Sequence, residues 1–124
     1  MKQKIESLKA PAAIGPYSQA VDEGGLVFVS GQLPIDSDTG EFVSDDVSEQ
    51  TRQSLENIKM ILSEKGYSMD RILKTTVYLQ DMNDFSAMNQ VYGLFFSEPY
   101  PARVAFQVVK LPKGARVEIE AVAK

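Results

Sequence analysis

The stretch from Asp46 to Gly66 constrains the fold more than any other, because it specifies one long amphipathic helix. Asp46 is placed to cap free backbone N–H groups, and Glu49 follows three residues later, as in a capping box. Gly66 suits the end of this helix, which therefore runs for about five turns. Side chains at spacings of three or four fall on one helical face: Val47, Thr51, Leu55, Ile58 and Leu62.

Strands flank this helix on both sides along the chain. Residues 26–30, LVFVS, are rich in β-branched and aromatic side chains and are bounded by glycines, which predicts a strand. Residues 17–22 are its predicted hairpin partner, with residues 23–25 as the turn. The segment 72–80 alternates as a further strand. One face of it carries Leu73, Thr75, Val77 and Leu79.

The C-terminal half adds a second helix and two strands. This helix is predicted to begin at Asn83 or Asp84 and to end at residues 97–99. Its apolar stripe consists of Phe85, Met88, Tyr92 and Phe95. The last strands are predicted over 103–109 and 115–123. This order favours a single α+β domain, residues 1–124, in which two helices cover one face of a mixed sheet.

The other sheet face is predicted to have no helix over it. Its side chains form a mixture that is too apolar for full exposure and too polar for an ordinary core. The predicted members are Thr76, Tyr78, Ala105, Gln107, Val109 and Val122. Oligomer interfaces have such a mixture, so we expect this face to be one; a merely solvated sheet face is the alternative.

The composition excludes several kinds of catalytic and structural site, because the chain has no cysteine, histidine or tryptophan. A thiol nucleophile, a Ser-His-Asp triad, a disulfide scaffold and a typical zinc site are excluded. Catalysis has to use Arg, Lys, Glu, Asp, Tyr, Ser, backbone groups or bound water. The net charge of −4 disfavours nucleic acid as a partner.

Targeting signals are not evident in the sequence. No apolar run reaches the roughly 18 residues needed to span a bilayer, and the N-terminal MKQKIESLKAP lacks the apolar core of a signal peptide. We therefore expect no membrane partner and a cytoplasmic location.

Arg103 and Glu118 are the residues that the pattern singles out for chemistry. Both are predicted to lie on the open sheet face, on neighbouring strands. An arginine there offers a planar fork to a carboxylate, and a glutamate nearby can activate a water. The alternative is a structural Arg103–Glu118 salt bridge. The pattern alone does not separate Glu118 from Glu120.

Three further polar residues are candidates for binding. Tyr17 follows Gly15-Pro16 and Ser30 precedes Gly31, so both lie at turns from which side chains reach a pocket. Ordinary turn chemistry explains either one equally well. Asn89 lies at the edge of the second helix's apolar stripe, where its amide either binds a ligand or caps a loop.

Seven segments, taken in order from about Ala10 to Ala123, resemble the RidA (YjgF) family of reactive intermediate deaminases. Each segment is weak alone, and the ordered set is specific. The segments are APAAIGPY (10–17), VSGQLP (29–34), TRQSLENI (51–58), KTTVYL (74–79), MNQVYGLFF (88–96), YPAR (100–103) and VEIEAVA (117–123).

The resemblance implies a fold similar to chorismate mutase, assembled as a homotrimer with three clefts between subunits. It implies hydrolysis of enamines and imines such as 2-aminoacrylate, 2-iminopropanoate and 2-iminobutanoate to 2-oxo acids and ammonia, without metal or cofactor. It also implies roles for named positions. Arg103 would bind the substrate carboxylate and Glu118 would hold the water. Tyr17, Ser30, Asn89 and the backbone near Ala105 would line the pocket.

This chain departs from the family's pattern at Ala105, where many relatives have cysteine. The departure removes thiol-based regulation and leaves the backbone role intact. Some family members are described as RNA-cleaving translation inhibitors or as regulators that bind protein partners. The absence of histidine and the net negative charge argue against RNA cleavage by this chain. A regulatory binding role is the alternative function that stays open.

Overall fold

The computed structural model describes residues 1–124 as one six-stranded sheet with two α-helices. The elements in chain order are β1 (Gln3–Ile5), β2 (Ala20–Glu23), β3 (Leu26–Gln32), α1 (Val47–Ser63), β4 (Ile72–Leu79), α2 (Phe85–Gly93), β5 (Ala102–Gln107) and β6 (Val117–Ala123). Single 3₁₀ turns lie at Met69–Arg71, Met82–Asp84 and Pro112–Gly114. The predicted α+β class is confirmed. Strand β1 is additional, because three residues carry too short a pattern to recognise.

Helix α1 forms as its sequence predicts. The Asp46 carboxylate accepts a hydrogen bond from the Glu49 N–H at 3.0 Å, which satisfies a donor that the helix itself leaves free. At the other end Gly66 takes a φ of 77°, and the Tyr67 N–H returns to the Leu62 carbonyl. The five side chains of the predicted apolar face are all buried, and they pack the helix on the sheet.

The strands lie in the order β1-β2-β3-β6-β4-β5. Only β4 and β5 are parallel, with α2 in the crossover between them, and every other pair is antiparallel. The mixed sheet is therefore confirmed. The prediction that the last two strands are neighbours is wrong, because β6 inserts between β3 and β4 and leaves β5 at the sheet edge.

The strand β5 also faces the other way from the prediction. Arg103 pairs with Thr75 and Ala105 with Val77, so these side chains lie on the helix-covered face, as does Gln107. Their predicted place on the open face is wrong. Both faces of β5 carry apolar residues, so the alternation alone does not show which face packs against the helices. The register with β4 decides it.

The open face keeps the predicted residues of β4 and β6. Thr76 and Tyr78 lie opposite Glu120 and Glu118 there, beside Val122. Besides Val122, this face carries apolar side chains that were not predicted there. Phe28, Val104 and Phe106 are 50%, 45% and 42% exposed. Val109 lies beyond the end of β5 and is almost fully exposed.

Two local details differ from the pattern. The pairing of β4 with β6 shifts between Ile72 and Lys74, so Ile72 is buried and Leu73 is exposed. Helix α2 ends at Gly93, before residues 97–99, and begins after Asp84 without a side-chain cap. Asp81 instead caps the preceding 3₁₀ turn, where it accepts from the Asn83 N–H at 2.9 Å. Neither helix has the length and apolarity that crossing a membrane requires.

Candidate active site

A cleft of about 920 Å³ opens on the sheet's uncovered side, where β3 meets β6. Its lining includes Tyr17, Ser30 and Gly31 together with Glu118 and Glu120. Apolar side chains from the loop between β1 and β2 and from the segment after β3 also line it, among them Ile14, Leu33 and Ile35. The sequence-predicted residues Tyr17, Ser30 and Glu118 are thus brought together in one chain.

A β-bulge builds this cleft. Val29 pairs with Ala121 and Gln32 with Ile119, so Ser30 and Gly31 together oppose the single residue Glu120. Gly31 lets the Glu118 side chain approach the strand, since a Cβ at Gly31 would lie 3.0 Å from Glu118 Cδ. Sequence reasoning did not assign Gly31 a role. A glycine inside a predicted strand was the available signal, because it often marks a bulge or a close approach.

The two glutamates of β6 differ in their hydrogen bonds. The Tyr78 hydroxyl donates to Glu120 Oε1 at 2.7 Å, whereas the Glu118 carboxylate has no hydrogen-bond partner within the chain. Burial raises the pKa of Glu118, and the nearby Glu120 charge raises it further. The bond to Glu120 raises the pKa of Tyr78 to about 12, so this hydroxyl remains a donor. Glu118 is the carboxylate left free to exchange a proton with a ligand.

The loop that carries Tyr17 is held from beneath by Gln19. The Gln19 amide donates to the carbonyls of Ser7, Ala10 and Pro11, and its oxygen accepts from the Ser7 N–H at 2.6 Å. This buried side chain was missed in the sequence, where only its place after GPYS marks it. The Ser30 hydroxyl donates to the Ser18 carbonyl at 2.6 Å, which leaves its oxygen free to accept from a ligand.

Arg103 and Asn89 meet on the helix-covered face at the sheet edge. The Arg103 Nη1 donates to Asn89 Oδ1 at 2.6 Å. The guanidinium carbon lies 4.7 Å from the ring centroid of Tyr92 and 5.4 Å from that of Phe85. Arg103 forms no salt bridge, and the hypothesis of a structural Arg103–Glu118 pair within one chain is wrong. The guanidinium is held in place with its charge uncompensated.

The backbone of Ala105 faces the free edge of the sheet. The Val108 N–H donates to the Leu79 carbonyl of β4 at 2.9 Å. Because backbone groups alternate in direction along a strand, the Ala105 N–H and carbonyl point away from β4, where no further strand lies. They are available to a ligand next to Arg103.

The candidate residues therefore form two groups on opposite faces. We call the first, with Tyr17, Ser30 and Glu118, the glutamate cleft, and the second, with Asn89, Arg103 and Ala105, the arginine edge. Strand β4 lies between β5 and β6, so the two groups are about 10 Å apart across the strands alone. One chain does not bring Arg103 to Glu118.

Comparison with known proteins identifies the family. A family model described as Endoribonuclease L-PSP matches residues 7–124. The chain belongs to this family. It is the YjgF/RidA family that the seven segments resemble, so that resemblance is confirmed.

Two curated relatives and one solved structure illustrate the similarity. A RutC family protein of Pyrococcus horikoshii is 55% identical over 123 residues, covering 99% of this chain and 98% of the relative. The 2-iminobutanoate/2-iminopropanoate deaminase of Salmonella typhimurium is 49% identical over 126 residues, covering 99% and 98%. The crystal structure of Escherichia coli TdcF with bound serine is 49% identical, with a TM-score of 0.92, covering 98% and 97%. This YjgF/RidA family member is thus similar to these relatives over 97% or more of each chain, and it shares the fold of the solved one.

Proposed function

We propose that this protein hydrolyses reactive enamine and imine intermediates to 2-oxo acids and ammonia. The substrates would be 2-aminoacrylate, 2-iminopropanoate and 2-iminobutanoate, and the reaction would use no metal or cofactor. One observation carries the proposal: Arg103 and Glu118, the two opposite charges that such a reaction uses, are both without an ionic partner in the chain. The deaminase relative at 49% identity supports the same chemistry.

The site is proposed to form between copies of the chain. The arginine edge of one copy would close the glutamate cleft of the next, as in a homotrimer with three clefts. The exposed Phe28, Val104 and Phe106 of the open face support association, because monomers rarely leave large apolar side chains grouped on one sheet face. Light scattering coupled to size exclusion should give about three times 13.7 kDa; a monomer at micromolar concentration contradicts the shared site.

The proposed reaction begins with the substrate carboxylate on Arg103. The planar guanidinium offers two parallel N–H bonds, which fix the position of the imine carbon. The backbone of Ala105 would hold the imine nitrogen, and Asn89, Tyr17 and Ser30 would complete the pocket. A cationic site for a carboxylate also agrees with the serine bound in the TdcF structure.

Glu118 is proposed to handle the protons. As a base it orients a water against the electrophilic carbon of the protonated imine and takes one of its protons as the carbon–oxygen bond forms, giving a neutral carbinolamine. It then returns this proton to the nitrogen. The carbon–nitrogen bond breaks with its electron pair leaving on ammonia, and the hydroxyl proton passes back to the Glu118 carboxylate as the ketone forms. The raised pKa of Glu118 suits this exchange, because a carboxyl group whose pKa lies closer to neutral pH can both accept and donate a proton.

The test generates 2-aminoacrylate or 2-iminobutanoate in situ with a pyridoxal-phosphate lyase and follows ammonia and 2-oxo acid release. Purified protein should accelerate hydrolysis, and Arg103→Ala should not. Equal rates with wild type, Arg103→Ala and buffer would falsify the proposed function.

RNA cleavage is the second candidate, since the matching family model carries the word endoribonuclease. The absence of histidine and the net charge of −4 count against it. Incubation of the same preparation with single-stranded RNA decides between the two. Cleavage that survives Arg103→Ala and Glu118→Gln would point to a contaminant or to another site.

A further inference from the structure

The arginine edge contains a support that no sequence argument assigned. Tyr92 lies in the apolar stripe of α2 and is buried, yet its ring lies directly against the Arg103 guanidinium, at 4.7 Å from the centroid. The Tyr92 hydroxyl shares a hydrogen bond of 2.7 Å with the Thr75 hydroxyl, which is also buried. Thr75 stands beside Arg103 in the pairing of β4 with β5.

These contacts close into one fixed unit. Thr75 of β4 holds the Tyr92 ring through the bond between their hydroxyls, and this ring packs against the Arg103 guanidinium. Asn89 fixes the same guanidinium by accepting from its Nη1. Burial raises the pKa of Tyr92, so its hydroxyl is un-ionised at neutral pH and the ring face stays available to a cation. Each member restricts one rotation of the next, which reduces the freedom that Arg103 would lose on binding a ligand.

We infer that Tyr92 is a positioning residue for carboxylate recognition, held by Thr75, and that it sets the direction of the Arg103 fork. This inference rests on the proposed function, since it assigns Arg103 a carboxylate ligand. The inference goes beyond the proposed function because it names the residues that hold Arg103 in place. Carboxylate recognition then depends on the hydroxyl pair of Tyr92 and Thr75 inside the core.

The expected signature is a change in KM with little change in kcat. Arg103 grips the same carboxylate in the substrate and in the transition state, so loosening it removes uniform binding. Tyr92→Leu should raise KM for 2-iminobutanoate by about 3- to 30-fold, the range of a partly desolvated cation–π contact. Tyr92→Phe and Thr75→Val both keep the ring and both remove the hydrogen bond between the two hydroxyls. Both should raise KM in the same direction as Tyr92→Leu, by less.

A second measurement needs no substrate. The ¹⁵N heteronuclear NOE of the Arg103 Nε–H group reports the order of this side chain. It should fall most in Tyr92→Leu and by less in Thr75→Val and in Tyr92→Phe, which both lose the bond between the hydroxyls. Tyr67→Leu is the matched control, because Tyr67 supports Arg71 at 4.1 Å outside the arginine edge. It should loosen Arg71 and leave both KM and Arg103 unchanged.

A folded Tyr92→Leu protein with wild-type KM and a rigid Arg103 overturns the inference. If that variant does not fold, the same two results in Thr75→Val overturn it. A wild-type protein without deaminase activity contradicts the proposed function instead. The Arg103 order in the variants then still decides whether Tyr92 positions it.

Discussion

The glutamate cleft and the arginine edge differ in how much of a site one chain can build. The cleft is a cavity whose walls come from β3, β4, β6 and the loop held by Gln19, and it holds two carboxylates, one of them without a partner. The arginine edge lies on an outer strand and offers a supported cation and unpaired backbone, with nothing opposite them.

This difference divides the proposed chemistry between copies. Proton exchange needs a half-buried carboxyl, which a bulge in a sheet provides within one chain. Carboxylate recognition needs a cation that reaches the same substrate as Glu118. Within one chain Arg103 lies on the helix-covered face, away from Glu118 on the open face. We therefore expect activity to depend on assembly, while the fold of each chain should not depend on either charged residue.

The largest expected effect is that of Arg103→Ala. It should lower kcat/KM by about 10²- to 10⁴-fold, because it removes the charged partner of the substrate. Arg103→Lys should recover little, since lysine lacks the planar fork. The melting temperature and oligomeric state should stay near wild type, because Arg103 forms no salt bridge in the chain. A stable, assembled Arg103→Ala protein with near wild-type imine hydrolysis would end the proposed mechanism.

Glu118→Gln tests the other side of the comparison. It should lower kcat by about 10²- to 10⁴-fold while changing substrate binding much less, since a positioned base is lost and the carboxylate contact remains. Glu120→Gln is the matched control on the same strand face and should have a much smaller effect at neutral pH. Steady-state kinetics of both variants give the answer. If Glu120 is the sensitive position, the assignment of the two carboxylates is reversed.

Mixing the two inactive variants asks directly whether the site is shared. Arg103→Ala and Glu118→Gln chains, co-refolded at equal amounts, should regain up to about one quarter of wild-type activity, because each site then draws independently on two chains across a heterologous interface. Each variant refolded alone should stay inactive. Activity no higher than the sum of the separate variants, in mixed oligomers shown to form by differential tagging, would place both residues in one chain's site.

Local signals predicted the helix that organises the fold. The Asp46 cap and the spacing from Val47 to Leu62 act within one chain segment, and the structure confirms them. The reciprocal bond of a capping box does not form, because the Asp46 N–H donates to Ser44 Oγ and not to Glu49. Strand order is not local. Nothing in residues 103–123 states that β6 inserts between β3 and β4, so Arg103 was predicted beside Glu118 and on the wrong face.

The candidate site was predictable in its residue types and not in its grouping. Tyr17, Ser30 and Glu118 come together only because a bulge at Gly31 shifts the register of β3 against β6. Tyr78, which the alternating pattern places on the open face, reaches diagonally to Glu120 and decides which glutamate is free. Such contacts depend on tertiary register, which one sequence does not state.

The smallest expected effect is a shift of the pH profile in Glu120→Gln. As a base Glu118 acts ionised, so kcat/KM should fall as pH drops through its pKa, which burial and then the Glu120 charge raise. Removing that charge eases ionisation of Glu118, so its pKa falls and the acid limb moves to lower pH; burial remains, so it stays above that of a free glutamate. Tyr17 and Lys113, which also line the cleft, form no bond to Glu120. Tyr78 loses its charged acceptor, so its pKa falls from about 12 toward that of an ordinary tyrosine, which lies on the alkaline side and away from the acid limb. The variant keeps Glu118 as the base, which is why it loses little activity on the plateau above the acid limb. Glu64→Gln, an exposed carboxylate at the end of α1, is the matched control and should leave the limb in place. A limb that stays fixed in Glu120→Gln, or moves to higher pH, would show that the two carboxylates of the cleft are not coupled as their arrangement requires.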